Sequence, residues 1–80
     1  MQQVQVRLFA AARAAAKSDE IMVEPGSIAE ILRLCASENA QLQRVLLQCS
    51  VLIDGIACHD HQVLVRSGSQ VDVLPRFAGG

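Results

Sequence analysis

Aromatic side chains and paired cysteines are scarce in this chain of 80 residues. It has no Trp, no Tyr and two Phe, although 51% of its residues are hydrophobic. Its core therefore has to be built mainly from aliphatic side chains. The three cysteines, Cys35, Cys49 and Cys58, are odd in number and form no CxxC motif, which argues against a disulfide framework or a zinc ribbon. We therefore expect one small domain that folds without a metal or disulfides.

Basic runs, long apolar runs and a leader-like start are also missing. Seven Lys and Arg balance eight Asp and Glu for a net charge of -1, so no nucleic-acid partner is expected. No apolar stretch is long enough to cross a bilayer, so no membrane partner is expected either. Met1 leads directly into polar Gln2 and Gln3 without the regions of a signal peptide, which predicts a cytoplasmic location.

Alternation of apolar and polar residues predicts strands near both ends of the chain. Val4, Val6 and Leu8 mark a first strand with one buried face. Ile21 and Val23 mark a second strand. Asp54-Gly55 predicts a hairpin over residues 51–58. The apolar run at 63–65 is predicted to be a strand or a tight turn. Val71 and Val73 mark a last strand, which Pro75 ends.

Residues 27–37 carry the clearest helix signal. Ser27 and Glu30 form the Ser-x-x-Glu pattern of a capping box, directly after the turn signal Pro25-Gly26. One apolar stripe follows at helical spacing and consists of Ile28, Ile31, Leu32 and Cys35. Cys35 is expected to be a buried, inert thiol. A shorter helical segment is expected around Leu42, Val45 and Leu46, and the alanine-rich residues 10–17 favour a helix too short to be stable alone. The predicted fold class is α+β, a mixed sheet with one main helix packed across it.

Residues 58–61, Cys-His-Asp-His, are the one polar cluster in the chain. All three residue types ligate metals, which makes a metal site one interpretation. Neighbouring residues on a strand point to opposite faces, however, and the spacing matches no known zinc motif. We therefore predict a solvated loop that binds no metal.

The last six residues form a segment of unusual composition. Phe77 is one of only two aromatic residues, and Gly79-Gly80 has no side chains that would block entry into a narrow channel. Extended, residues 75–80 reach roughly 20 Å. We therefore divide the chain into a domain over residues 1–74 and an extended Gly-Gly tail over 75–80, with a frayed terminus as the alternative.

Two segments of the sequence carry a resemblance to a known family. Residues 6–13 contain a Phe-Ala-x-x-Arg pattern that runs from Phe9 to Arg13, and residues 71–80 end in Phe77-Ala78-Gly79-Gly80. In both segments, and over essentially its whole length, the chain resembles the small subunits of molybdopterin synthase, which are sulfur carriers of the MoaD/ThiS family. The resemblance implies a ubiquitin-like β-grasp fold.

The resemblance also implies a function in molybdenum cofactor biosynthesis. An E1-like adenylyltransferase would use ATP to adenylate Gly80, and a persulfide-bearing sulfurtransferase would then convert that group to a thiocarboxylate. The tail, with Ala78 and Gly79, would thread into the large subunit of the synthase. That subunit would supply the catalytic side chains while Gly80 donates sulfur to cyclic pyranopterin monophosphate. On this interpretation the chain is the sulfur-donating subunit of a sulfurtransferase and binds no cofactor itself.

The same resemblance implies a partner interface at Leu74, Pro75, Phe77, Phe9 and Arg13. For Phe9 a plain core position is an equal alternative, and Arg13 alternatively is only a solvated side chain. Three other functions stay open at this point: a sulfur carrier for thiamine or cysteine biosynthesis, a ubiquitin-like modifier joined to lysines, and a binding module with an inert tail.

Overall fold

The computed structural model describes residues 3–75, which form three helices and seven strands. In chain order these are β1 (Val4–Leu8), α1 (Ala10–Ala16), β2 (Glu20–Val23), β3 (Gly26–Ser27), α2 (Ile28–Cys35), α3 (Ala40–Leu46), β4 (Cys49–Ile53), β5 (Ile56–Cys58), β6 (Leu64–Val65) and β7 (Gln70–Pro75). No helix in residues 3–75 is long and apolar enough to span a membrane.

Five strands form one mixed sheet in the order β2-β1-β7-β4-β5. The two terminal strands, β1 and β7, lie side by side in parallel at its centre, and the other neighbours are antiparallel. β3 and β6 make a separate two-stranded sheet. This arrangement confirms the predicted α+β class with a mixed sheet.

The core lies between the sheet and the helices. Every second residue of β1 points into it, and Val4 and Val6 have no exposed surface. α2 contributes Ile28 and Ile31, both fully buried, and Cys35, which is 8% exposed. Leu32 is half-buried and packs against the same cluster, so the predicted stripe of α2 is confirmed.

The predicted capping box of α2 is present. Ser27 Oγ accepts a hydrogen bond from the Glu30 backbone N–H at 3.1 Å, and the Ser27 N–H donates to Glu30 Oε1 at 2.9 Å. That backbone donor is the main reason the pKa of Glu30 is lowered. A Cβ atom on Gly26 would lie 2.9 Å from the same oxygen, so a larger residue there would make the Glu30 carboxylate shift. The helix ends at Cys35, two residues before its predicted end.

Packing explains why the two short helices exist. α1 buries Ala12 and Ala15 against the core, which supports a helix too short to persist alone. α3 is capped by Asn39, whose side chain accepts from the Leu42 N–H at 3.0 Å and donates to the Ala15 carbonyl at 3.1 Å. One side chain therefore caps α3 and joins it to α1.

The short strands refine the predicted boundaries. The Asp54-Gly55 hairpin is confirmed, with positive φ at both residues (49° and 85°), as a type I′ turn requires. The chain bends at Pro25, but Gly26 and Ser27 form β3 opposite Val65 and Leu64, a pairing that the turn signal did not predict. Within the apolar run at 63–65, Leu64 and Val65 form the strand β6.

Candidate functional site

The main sheet has one face packed by helices and one that the helices of residues 3–75 leave uncovered. Side chains alternate between the two faces along each strand, so the uncovered face carries the residues that lie between the core residues. We call it the open face, and its members are Gln5, Arg7, Glu20, Met22, Ser50, Leu52, Ala57, Gln70, Asp72 and Leu74. Polar side chains of β1 and β7 occupy its centre, and apolar side chains lie around them at Met22, Leu52, Ala57 and Leu74.

A bidentate ion pair lies at the centre of the open face. Arg7 and Asp72 are direct partners across the parallel β1–β7 pair. Arg7 Nε donates to Asp72 Oδ1 at 2.9 Å, and Arg7 Nη2 donates to Oδ2 at 3.1 Å. The Arg7 hydrogen bonds hold the pKa of Asp72 below its usual range against the opposing effect of burial. The Gln70 amide adds a donor to Oδ1 at 3.2 Å, so this carboxylate is firmly held in its ionised form.

Phe9 follows β1 and occupies the N-cap position of α1. It is half-buried, and its ring centroid lies 5.5 Å from the guanidinium carbon of Arg7, within the range of a cation–π contact. Its backbone N–H donates to the Val73 carbonyl at 3.3 Å. Phe9 is therefore not a fully buried core residue but an aromatic ring at the end of the open face.

Leu74 and Pro75 are the last two residues of β7, and both are half-buried. Leu74 lies opposite Ser50 on the open face, and Pro75 lies opposite Cys49. Pro75, assigned above to the tail, is thus the final strand residue. Continuing the register by one residue beyond the Leu8–Val73 pair brings Phe9 beside Leu74. The fold thus brings together two predicted interface residues that are 65 positions apart.

Arg13 lies on α1 and points to solvent. Its Nε is 3.7 Å from Asp19 Oδ1, and both side chains are largely exposed, which makes this a weak surface contact. Its participation in a partner interface stays a prediction. The remaining predicted site residues, Phe77, Ala78, Gly79 and Gly80, lie outside the described residues, and their roles stay predictions as well.

Residues 58–61 end β5 and begin a loop, as expected. Cys58 Sγ donates to the Asp60 carbonyl at 3.3 Å, and Asp60 Oδ1 accepts from the Gln62 N–H at 2.9 Å. His59 and His61 line a pocket of about 200 Å³ together with Cys49 and Cys58. Within residues 3–75, nonetheless, no three His, Cys, Asp or Glu side chains converge in a way that could hold a metal ion.

Two of the three free thiols are held in their neutral form by burial. Burial raises the pKa of Cys35 to about 11 and also raises the pKa of Cys49. A thiol is a nucleophile or metal ligand only as the thiolate, so neither residue is poised for chemistry at neutral pH. The prediction that Cys35 is buried and inert agrees with this environment.

The Arg7–Asp72 pair is the feature that the sequence reasoning missed. In the sequence, Arg7 and Asp72 are only two polar positions in strands that alternate apolar and polar residues. The available signal was that the two residues have opposite charges and that each directly follows a buried valine, Val6 or Val71. These two valines are direct partners in the parallel pair. Recognising it required knowing that β1 and β7 are neighbours.

Comparison with known proteins gives similarity in structure but not in sequence. No family model matches the chain, and no curated protein matches it. The solution structure of small archaeal modifier protein 1 from Methanosarcina acetivorans matches with a TM-score of 0.85 at 22% identity, over 100% of this chain and 98% of that one. The crystal structure of the modifier from Haloferax volcanii gives 0.82 at 20% identity, over 98% and 99%.

A third similar structure is a complex. A chain of the complex of subunits 1 and 2 of molybdopterin-converting factor from Helicobacter pylori matches with a TM-score of 0.71 at 20% identity, over 98% of this chain and 99% of that one. At such identities these likenesses establish a shared fold along the whole length of the chain. The predicted ubiquitin-like β-grasp fold is thereby confirmed.

Proposed function

We propose that this β-grasp protein is a sulfur carrier that serves molybdenum cofactor biosynthesis through a thiocarboxylate on Gly80. The observation that carries the proposal is the position of β7. This strand is paired on both sides, with β1 up to Val73 and with β4 up to Pro75. The sequence Arg76-Phe77-Ala78-Gly79-Gly80 therefore follows directly from the centre of the sheet.

A candidate docking surface at the end of β7, formed by Phe9 and Leu74, supports the same function. Phe9 and Leu74 lie side by side at the end of the open face from which the tail continues. Half-buried aromatic and aliphatic side chains on an uncovered sheet face are typical of surfaces that bind a protein partner. The similar chain in the Helicobacter pylori complex belongs to an assembly of two subunits, which supports a large-subunit partner for this chain.

The proposed chemistry needs no catalytic side chain from this protein. In an activating enzyme related to ubiquitin E1, the Gly80 carboxylate attacks the α-phosphorus of ATP and pyrophosphate leaves. The terminal sulfur of a persulfide then attacks the acyl carbon and AMP leaves. A second thiol attacks the sulfurtransferase sulfur of the acyl disulfide, so that a new disulfide forms between these two sulfurs and the thiocarboxylate leaves on the chain. The thiocarboxylate can then donate sulfur to cyclic pyranopterin monophosphate in the large subunit.

The described residues suit a carrier rather than an enzyme with its own active site. Burial disfavours the thiolates of Cys35 and Cys49. Free thiols also suit a reducing compartment, and we propose that the protein acts in the cytoplasm.

The test is an intact-mass measurement after incubation with ATP, the activating enzyme and a persulfide donor. The full chain should gain the mass difference between a sulfur and an oxygen atom, and fragmentation should place the sulfur on Gly80. Deleting Gly80 should abolish the gain without changing stability in urea, because terminal residues contribute little to folding.

A matched control separates terminal chemistry from cysteine chemistry. A chain with Cys49→Ser and Cys58→Ser keeps the tail and removes the two less buried thiols. It should still be loaded with sulfur. Sulfur on a cysteine in the full chain, or undiminished loading after deletion of Gly80, would disprove the proposal.

A second candidate function is protein modification, favoured by the match to the archaeal modifiers at TM-scores of 0.82 and 0.85. In this case the Gly80 adenylate would pass to a lysine and form an isopeptide bond. Higher-mass conjugates in cell extracts, absent in a strain lacking Gly80, would favour it. Sulfur carriers for thiamine or cysteine biosynthesis would load in the same way, and they differ in the partner that accepts the sulfur.

A further inference from the structure

We infer that Arg7 is a specificity-determining residue of the docking surface: it selects partners that present carbonyl oxygen acceptors to the open face. The inference rests on the proposed function, because it concerns the partner that covers Phe9 and Leu74. It follows from how the guanidinium is held and from the donors that remain on it.

The guanidinium of Arg7 is fixed on two sides. Its Nε and one Nη2 hydrogen point at the two oxygens of Asp72, at 2.9 and 3.1 Å. The ring of Phe9 lies 5.5 Å from the guanidinium carbon. A long side chain held in this way loses little conformational freedom on binding, so the group is preorganised on the surface.

Part of the donor capacity of Arg7 is unused within residues 3–75. A guanidinium carries five N–H donors, and Asp72 receives one from Nε and one from Nη2. The three remaining N–H groups, two on Nη1 and one on Nη2, have no acceptor among the described residues. The Arg7 side chain is 45% exposed, so water can serve them in the free protein.

A partner that covers Phe9 and Leu74 also comes close to Arg7. Arg7 precedes Phe9 by two residues on the same face, and its partner Asp72 precedes Leu74 by two. At about 3.3 Å per residue, each separation is only about 7 Å. The partner then displaces water from the free N–H groups, and donors buried without an acceptor weaken binding strongly.

The charge of the neighbourhood indicates which acceptor fits. Arg7 faces Asp72, and Glu20 lies across from it on β2, where it accepts hydrogen bonds from Gln5. One positive charge thus stands among two negative ones. A carboxylate from the partner would be repelled by Asp72 and Glu20, whereas a neutral backbone or amide carbonyl would not. An apolar partner surface without such oxygens would leave Arg7 unsatisfied and would be rejected.

The experiment compares Arg7→Met with Gln5→Met, which makes the same replacement two residues earlier on the same face. Binding to the large subunit, the partner proposed to cover Phe9 and Leu74, is measured by calorimetry at two salt concentrations. Sulfur loading is followed as a function of activating-enzyme concentration, and stability is followed in urea.

Arg7→Met should weaken binding to the large subunit about tenfold, because the partner's carbonyl acceptor loses its donor. Loading at saturating enzyme should be unchanged. The salt dependence of binding should match that of the unmodified chain, as expected for a neutral acceptor. Arg7→Lys should not restore affinity, because an ammonium lacks the planar fork. Gln5→Met should bind like the unmodified chain.

Three results would overturn the inference: unchanged affinity in Arg7→Met, an equal loss of affinity in Gln5→Met, or full affinity in Arg7→Lys. Arg7→Met should lose some stability, because Asp72 loses its partner, so binding is compared at a temperature at which the urea curves show every variant folded. Failure of the proposed function is distinguishable from these results. In that case the unmodified chain itself does not bind the large subunit and gains no sulfur.

Discussion

The helix-covered face of the central strands carries aliphatic side chains, whereas the open face of the same strands carries an ion pair. In β1 the inward residues Val4 and Val6 have no exposed surface, while Arg7 between Val6 and Leu8 is half exposed. In β7 the inward Val71 and Val73 flank Asp72, the carboxylate that binds Arg7.

This difference shows that the two faces need different kinds of side chains. The covered face needs only apolar volume, which many aliphatic combinations can supply. The open face needs particular partners, because Asp72 is largely buried and its charge has to be satisfied by Arg7 and Gln70. Mutations on the first face should therefore affect folding, and mutations on the second should mainly affect binding.

The largest effect on stability is expected at Ile31, which is fully buried on the covered side. Ile31→Ala should lower the free energy of unfolding by about 2–5 kcal/mol, because it removes apolar contacts and leaves a cavity. Leu34→Ala is the matched control on the same helix, where the side chain is 48% exposed, and should cost about 0.5 kcal/mol or less. Urea titrations that gave equal losses would contradict the assignment of the core.

A mutation on the open face should have the opposite profile. Leu74→Ala is expected to reduce affinity for the large subunit about tenfold, with a smaller loss of stability than Ile31→Ala. The control is Met22→Ala, since Met22 lies on the same face at the far edge strand and is 47% exposed. If calorimetry showed the two variants binding alike, the docking surface would not be at the end of β7.

The capping box tests how much local structure contributes to the covered side. Ser27→Ala removes the acceptor for the Glu30 N–H and should cost about 1 kcal/mol. Ser37→Ala, beyond the end of α2, should change stability much less. Thermal or urea unfolding measures both, and a negligible cost for Ser27→Ala would mean that tertiary packing alone holds α2.

The smallest effect concerns the pH dependence of stability. The pKa of Asp72 is lowered in the folded protein, so its ion pair stabilises the fold above about pH 4 and the gain disappears as the pH falls through the lowered value. Asp72→Asn should therefore flatten the decline in unfolding free energy on going from about pH 6 to about pH 2. Asp19→Asn, an exposed carboxylate, is the control. Parallel curves for Asp72→Asn and the unmodified chain would show that Arg7 does not stabilise the ionised form.

Local signals predicted most of the fold. Alternation identified β1, β2 and β7, helical spacing identified the buried stripe of α2, and Asp54-Gly55 identified the hairpin, because each depends on residues close together in the chain. Of the two short strands β3 and β6, the sequence predicted only β6, as a strand or a tight turn. Both strands are too short to show a period, and Gly26–Ser27 joins a segment nearly 40 positions away.

The candidate site was predicted unevenly for the same reason. Leu74 and Phe9 entered through the family resemblance, and the structure places them side by side. Arg7 and Asp72 were missed because their hydrogen bonds span 65 positions. The structure gives Arg13 only an exposed contact to Asp19.

The sequence by itself determined the aliphatic core, the capped helix and the hairpin, since side-chain period and backbone preference act over a few residues. Only the tertiary structure decided that the first and last strands lie together in parallel. That pairing aligns Arg7 with Asp72 and Phe9 with Leu74. A polar residue on a strand shows that one face is exposed, but only the neighbouring strand determines whether its charge is paired and what surface it forms.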